Sequence, residues 1–268
     1  MNGKKVALIF ILFSLTILSS CGNLKNKPYE WTEYELIAHA LGGIDDETYT
    51  NSIEAFEESY NNGHRLFEVD ISITSDNKLV ARHGWEDNLG QGITKAVNYK
   101  EFMNTLYHDK YNPVDFETVL NLLDEYPDIY MVLDGKVESP KDVEVLYEAI
   151  GEEIEGINKN IQHRLIPQMF YEEDLEVIRS YGFHDLVYVV GREEYTAESI
   201  AEFGEENDVR VVSLSRKRIT PELVERLKES DILVYMYTLN DEDEMREYLD
   251  IGVHGFFTDF VTSFDDIE

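Results

Sequence analysis

The 268-residue sequence contains one cysteine, Cys21. It cannot form an internal disulfide, so its stability rests on packing whatever compartment holds it. Positive charge is scarce. Lys and Arg number 23 against 55 Asp and Glu, a formal net charge of −32. A field of that sign repels nucleic acid and anionic membrane faces, which removes nucleic acid as a partner. No Gly-rich dinucleotide or phosphate loop opens a helix, so nucleotide-cofactor chemistry lacks its usual signature. The N-terminal apolar stretch, residues 6–18, is 13 residues long, short of the ~20 that span a bilayer. Against these absences, 43% hydrophobic and 29% charged residues are the mixture of a globular chain rather than a disordered one. The length allows one large domain or two small ones, and a single α/β barrel commonly fills ~250 residues.

Lys4 and Lys5 precede the apolar stretch, which ends at Leu18-Ser19-Ser20-Cys21. A charged segment followed by a short apolar one is an export signal. The tetrapeptide resembles the lipobox of bacterial lipoproteins, in which the cysteine is acylated and becomes the first mature residue. Residues 1–20 are therefore expected to be a signal peptide, Cys21 the lipidation site, residues 21–32 a polar lipid-anchored tether, and 33–268 a single domain. The mature chain would carry 21 basic against 55 acidic residues, or −34. It would sit outside the cytoplasm, held to the membrane through its N-terminal lipid.

From Trp31 onward, apolar runs of strand length alternate with segments of helical spacing. Strands are expected at 36–39, 65–74, 129–134, 164–169, 186–190, 209–214, 232–238 and 255–258, mostly separated by helices. Such a succession is the pattern of an α/β fold with a parallel sheet, a (β/α)8 TIM barrel, against which an open doubly wound sheet is the competitor. Residues 79–83 return from the second strand as a hairpin extension. With Asp76 and Asn77 as a two-residue loop, Ser75 pairs with Lys78 and Asp70 faces His83. Asn51 and Glu54 are spaced as a capping box for the helix at 53–60.

Barrel chemistry sits at the C-terminal ends of the strands, so polar residues ending apolar runs are the candidates. His39 ends the first strand. Glu68 and Asp70, two residues apart, share one face of the second. Asp134 ends the next, with Lys136 two residues on. His83 lies on the hairpin return. A barrel strand is covered on both faces, so an acidic face there is not cheaply solvated. The remaining histidines, at 64, 108, 163, 184 and 254, have no comparable neighbours and are expected to be structural or exposed.

The order of His39, Asn51-Ser52 with Glu54-Ala55-Phe56, Phe67-Glu68-Val69-Asp70-Ile71, Thr74-Ser75-Asp76, Leu79-Val80 and His83 resembles the glycerophosphodiester phosphodiesterase family, within the phospholipase-C-like phosphodiesterase barrels. Leu133-Asp134-Gly135-Lys136, Tyr237-Thr238-Leu239-Asn240 and residues 252–259 are similar to the family's later strand motifs. The resemblance covers roughly residues 36–260. It implies a barrel phosphodiesterase acting on a glycerophosphodiester, a glycerol-phosphate polymer or a lipid headgroup, with Asn51 at the rim of the site. Three positions depart from the family pattern: Ala40 follows His39 where arginine is usual, Gly84 follows His83 where aspartate is usual, and Asp134 stands where glutamate is usual.

The chemistry suits these residue types. A phosphodiester is an anion, which a chain of −34 repels, so a local cation is needed. Glu68, Asp70 and Asp134 offer only oxygen, which suits one hard divalent cation, Ca2+ or Mg2+. Lys136 adds a second positive point. Imidazoles take and release protons near neutrality, so His39 and His83 are expected to be base and acid, in an order the sequence leaves open. A non-catalytic surface lipoprotein that binds a polyol phosphate on a retained barrel is the alternative, motivated by the missing arginine. A two-carboxylate glycosidase is a third reading, disfavoured by the adjacency of Glu68 and Asp70.

Overall fold

A computed structural model describes residues 29–86, 88–137, 139–191 and 194–264. Cys21 and the expected signal peptide lie outside the described residues. The strands are β1 (Leu36–Ala38), β2 (Leu66–Ile73), β3 (Leu79–Ala81), β4 (Tyr130–Gly135), β5 (Leu165–Met169), β6 (Val187–Val189), β7 (Val211–Ser215), β8 (Leu233–Tyr237) and β9 (Gly255–Thr258). The helices are α1 (Ile53–Asn61), α2 (Tyr99–Met103), α3 (Phe116–Glu125), α4 (Pro140–Ile154), α5 (Lys159–Gln162), α6 (Leu175–Ser180), α7 (Ala197–Asn207), α8 (Pro221–Glu229) and α9 (Glu242–Asp250). Leaving out β3, each strand pairs in parallel with the next, and β1 pairs with both β2 and β9. That last pairing closes the sheet into an eight-stranded (β/α)8 TIM barrel and removes the open-sheet alternative.

Period-two alternation sorts the strand side chains. Phe67, Val69 and Ile71 of β2 join the large core between strands and helices, whereas Leu66 joins a second core inside the barrel. Every barrel strand contributes one residue to that inner core: Ile37, Leu66, Val132, Ile166, Val187, Val211, Tyr235 and Phe257. Trp31, fully buried on the short 3-10 turn Glu30–Glu33, packs among them and closes the N-terminal end. The expected tether of residues 21–32 thus runs into the folded domain, because burial of the Trp31 indole fills the barrel floor. Two residues further along the same inward faces lie His39, Glu68, Asp134, Gln168, Ser213 and Tyr237, all on the wall of one cavity.

Local chemistry stops and starts the helices. Asp115, Thr220 and Asp241 accept hydrogen bonds from backbone N–H groups three residues on, at the starts of α3, α8 and α9, satisfying donors that the first turn leaves orphaned. At α1 the cap is Ser52, whose Oγ accepts from the Ala55 N–H. The expected Asn51–Glu54 capping box does not form: Asn51 has φ 44° and is drawn to Asp70 instead.

The hairpin register also differs from expectation by one residue. Ile71 pairs with Ala81 and Ile73 with Leu79, so Arg82, not His83, lies opposite Asp70, and its N–H donates to the Asp70 carbonyl at 2.9 Å. The loop has three residues, 75–77, closed by the Thr74 N–H on the Lys78 carbonyl. Asn77 takes the left-handed conformation with φ 59°, as the last position of a three-residue loop demands. Thr74 Oγ1 secures it, accepting from the Lys78 N–H and donating to Asp76.

Candidate active site

The parallel ladder sets Asp70 directly beside Asp134, with Glu68 one inward position below Asp70. Carboxylate oxygens of the three lie within 4.8 Å of one another. All three residues are withdrawn from solvent: Glu68 is 1% exposed and Asp70 fully buried, and the Asp134 side chain is 15% exposed. Lys136, placed just after β4 by its N–H bond to the Ile71 carbonyl, turns its ammonium back to Asp70 at 2.7 Å and Asp134 at 2.6 Å. One ammonium cannot neutralise three buried carboxylates. Glu68 Oε1 and Asp134 Oδ1 remain buried with no hydrogen-bond partner, and Asp70 Oδ1 has only the Lys136 ammonium. Buried unsatisfied anionic oxygens are costly. Facing one another, they are what a hard divalent cation requires, so the donor set fits that ion.

The electrostatics follow from burial and crowding. Burial, aided by the charges of Asp70 and Asp134, raises the Glu68 carboxyl to about 8. Burial likewise raises Asp134, against the opposing pull of Lys136. Burial would also raise Asp70, but Lys136, His83 and His39 outweigh it and hold that carboxyl below its ordinary value. Lys136, whose burial alone would lower it, is held up by the three carboxylates and stays protonated.

His39 follows β1 in a tight turn whose Ala40 N–H donates to Glu68 Oε2 at 2.6 Å. His39 Nδ1 lies 2.8 Å from Asp259 Oδ1. Asp259, just past β9, is held by Asn240, which donates to Asp259 Oδ2 and accepts from the Asp259 N–H, both at 2.7 Å. Burial alone would depress His39, yet the Asp259 bond and the charges of Glu68 and Asp70 raise it to about 9. His83 lines the same cavity. It stands beyond the end of β3, where Gly84 with φ 74° turns the chain, so its position comes from that turn and not from ladder pairing with Asp70. The cavity encloses about 240 Å³. Its other wall, across β5 to β9, is made among the described residues by the uncharged Gln168, Phe170, Val189, Ser213, Tyr237 and Phe257.

The structure therefore brings His39, Glu68, Asp134, His83 and Lys136 onto one cavity. Asn51 is fully buried behind Asp70, with its amide N–H donating to Asp70 Oδ2 at 2.7 Å and its carbonyl accepting from the Asp70 N–H at 3.0 Å. Sequence reasoning passed over two residues. Asp259 ends an apolar strand exactly as His39 does in kind, and that criterion applied to β9 would have selected it. Tyr49, whose ring packs against both histidines, lies in a loop with no periodicity to mark it. His64 and His254 are structural as expected: His64 is buried and His254 Nε2 bonds the Thr32 carbonyl.

Comparison with known proteins agrees with this geometry. Residues 43–263 match the model of the glycerophosphoryl diester phosphodiesterase family. A glycerophosphodiester phosphodiesterase of Bacillus altitudinis is 24% identical over 229 residues, covering 78% of this chain and 89% of that protein. Among solved structures, a phosphodiesterase of Oleispira antarctica in complex with the product sn-glycerol-3-phosphate superposes with a TM-score of 0.70 at 15% identity, covering 87% of this chain and 96% of that one. A glycerophosphodiester phosphodiesterase from Parabacteroides distasonis gives 0.68 at 20% identity, over 84% and 92%. A barrel closed over eight strands, with acidic and imidazole groups gathered at its C-terminal end and a family match across most of its length, belongs to the glycerophosphoryl diester phosphodiesterase family of phosphoric diester hydrolases.

Proposed function

We infer that the protein cleaves glycerophosphodiester-like bonds by His39 and His83 acid–base catalysis, with one divalent cation, Ca2+ or Mg2+, held by Glu68, Asp70 and Asp134. The observation that carries this reading is the set of buried carboxylate oxygens without partners facing a cavity that two histidines also line. When bound, the cation would polarise a phosphoryl oxygen and offset the carboxylate charge that raises His39. His39, its Nδ1 engaged by Asp259, has Nε2 left to accept the proton of the attacking hydroxyl. The Asp259 bond fixes the tautomer and stabilises the imidazolium that results. His83, on the same cavity, protonates the leaving oxygen. Lys136 supplies positive charge beside the same oxygens, and Asn51 holds Asp70 in orientation.

Supporting an internal nucleophile is the poverty of positive groups among the described residues: Ala40 follows His39, and its side chain is fully buried. A vicinal substrate hydroxyl acts at an effective molarity of ~10⁵ M or more, which lessens the need for an arginine. Glycerophosphodiesters, glycerol-phosphate polymers and inositol-type headgroups carry that hydroxyl. The residue pattern before Cys21 supports an extracytoplasmic protein anchored at the membrane through an acyl chain on Cys21. Among the described residues no helix is long and apolar enough to cross a membrane.

The test is turnover of a glycerophosphodiester and of its analogue lacking the vicinal hydroxyl, followed by phosphorus NMR with and without a chelator. Cation-dependent release of glycerol phosphate, through an early cyclic product and only from the parent diester, is expected. Equal rates on both diesters would exclude internal attack. Tight binding of glycerol 3-phosphate with no turnover of any diester would instead establish the non-catalytic reading. Cys21→Ala should abolish incorporation of labelled fatty acid, and a wild-type chain that takes up no label is not a lipoprotein.

A further inference from the structure

Tyr49 touches both histidines. Its ring centroid is 4.7 Å from that of His39, at an interplanar angle of 83°, and 4.7 Å from that of His83, at 67°. It lines the cavity and is only partly buried, so it is not simply a core residue. Its backbone is in the left-handed region, φ 58°, which is unfavourable for an ordinary L-residue. Such a conformation persists where the surroundings over-determine it. Here both flanks of the loop are fastened to the site. The Gly43 N–H donates to the Asp259 carbonyl at 2.6 Å, and Asn51 is clamped to Asp70 at the other end. The loop that carries Tyr49 is thus tied to the partner of His39 on one side and to the acidic cluster on the other.

β1 and β3 both pair with β2, so the sheet brings the backbones of His39 and His83 to neighbouring places: His39 follows β1, and His83 follows Arg82, whose N–H bonds the Asp70 carbonyl. The ladders do not set the tilt of the two rings, and Tyr49 touches both. We propose that Tyr49 is a positioning residue whose ring, in contact with both imidazoles, sets the tilt at which His39 and His83 face the substrate phosphate. A flat ring with two rotatable bonds does this at small entropic cost. The inference rests on His39 and His83 being the acid–base pair.

The experiment compares Tyr49→Phe, Tyr49→Leu and Tyr49→Asn with the wild type and with His39→Ala and His83→Ala, on one glycerophosphodiester at saturating cation. Tyr49→Phe keeps the ring and should hold kcat within about threefold. Tyr49→Leu should lower kcat by ~10–10²-fold with KM nearly unchanged, the size of effect that a misplacement of about an ångström produces. Tyr49→Asn, a residue that tolerates positive φ, should match or exceed the wild-type thermal midpoint while losing kcat as Leu does. A role in folding alone would not make stability and kcat move apart. In histidine-labelled protein the ring-proton shifts of His39 and His83 should change together in Leu and Asn but not in Phe. Wild-type kcat in Leu or Asn overturns the proposal, as does a loss in Phe equal to that in Leu, which would assign the effect to the hydroxyl. Turnover surviving in both histidine variants would overturn the acid–base reading itself, whereas dead histidine variants beside a normal Tyr49→Leu would sink only the positioning role.

Discussion

The same strands, read two residues apart on the same inward face, build two layers of the barrel interior with opposite chemistry. In the lower layer Ile37, Leu66, Val132 and Ile166 pack around Trp31, apolar and essentially sealed from solvent. In the upper layer the corresponding positions hold His39, Glu68, Asp134 and Gln168 around a cavity of about 240 Å³. Local geometry is alike in both, since the alternation and the hydrogen-bonded ladders continue through them. What differs is the sign of their contribution to folding. Each large side chain buried below stabilises by ~1.5–3 kcal/mol, while like-charged carboxylates gathered above oppose folding unless positive charge offsets them. Stability from the floor is what allows the mouth to be electrostatically strained, and a barrel divides these duties between its two ends.

The sharpest way to break this division is to remove the imidazoles of the upper layer. His39→Ala and His83→Ala should each lower turnover by ~10²–10⁴-fold and leave the thermal midpoint within a few degrees of wild type. The double variant should lose much less than the product of the two single losses, because the pair acts as a unit. Steady-state kinetics beside thermal melts would show it, and melting that collapses along with activity would mean the two layers are not separate in function.

In the floor the expectation reverses. Trp31→Ala should cost ~3–5 kcal/mol of unfolding free energy, read from denaturant titration, while kcat per folded molecule stays near wild type. A large fall in kcat at full folding would show that the plug shapes the mouth as well.

Two buried histidines extend the comparison to pH. His64 is lowered to about 4 by burial, against which its backbone hydrogen bonds are too weak. Its folded pKa lies below the unfolded value of ~6.5, so the unfolded chain binds the proton more readily. The stability it contributes is complete above about pH 6.5 and falls as pH drops toward 4, by ~3 kcal/mol in all. His64→Gln should flatten that part of the stability–pH curve, and an unchanged slope in acid titrations would refute the assignment. His39, raised to about 9 through Asp259 and the carboxylates despite its burial, has the opposite sign: its contribution is present below ~6.5 and is lost as pH rises through about 9.

The smallest effect is expected where the upper layer wastes a polar group. Ser213 is fully buried, with a hydroxyl that has no hydrogen-bond partner. Ser213→Ala removes an unmet polar group and should leave stability unchanged or raise it by up to ~1 kcal/mol, measurable as a small rise in the thermal midpoint. A clear destabilisation would mean that the hydroxyl is paired in solution.

Much of this was legible in the order of residues. Alternation alone assigns Glu68 and Asp70 to one face of β2, and polar residues ending apolar runs single out His39 and Asp134, because both inferences need only the period of a strand. The hairpin register was not legible, since a two-residue and a three-residue loop differ by the conformation of Asn77 alone. Nor was the role of Asn51. The spacing that suggests a helix cap is also the spacing that brings its amide to Asp70, and the choice between them lies with a strand 19 residues away.

By itself the sequence determined the eight-stranded alternation, the acidic pair on β2, the lone cysteine at the end of an apolar segment, and the excess of negative charge. These follow from short-range periodicity and composition. Only the tertiary structure decided that Asp134 stands beside Asp70, that Asp259 holds His39 across 220 residues of chain, and that Tyr49 packs against both histidines. Each of those depends on barrel closure, which brings together residues whose separation in sequence carries no information about their distance in space.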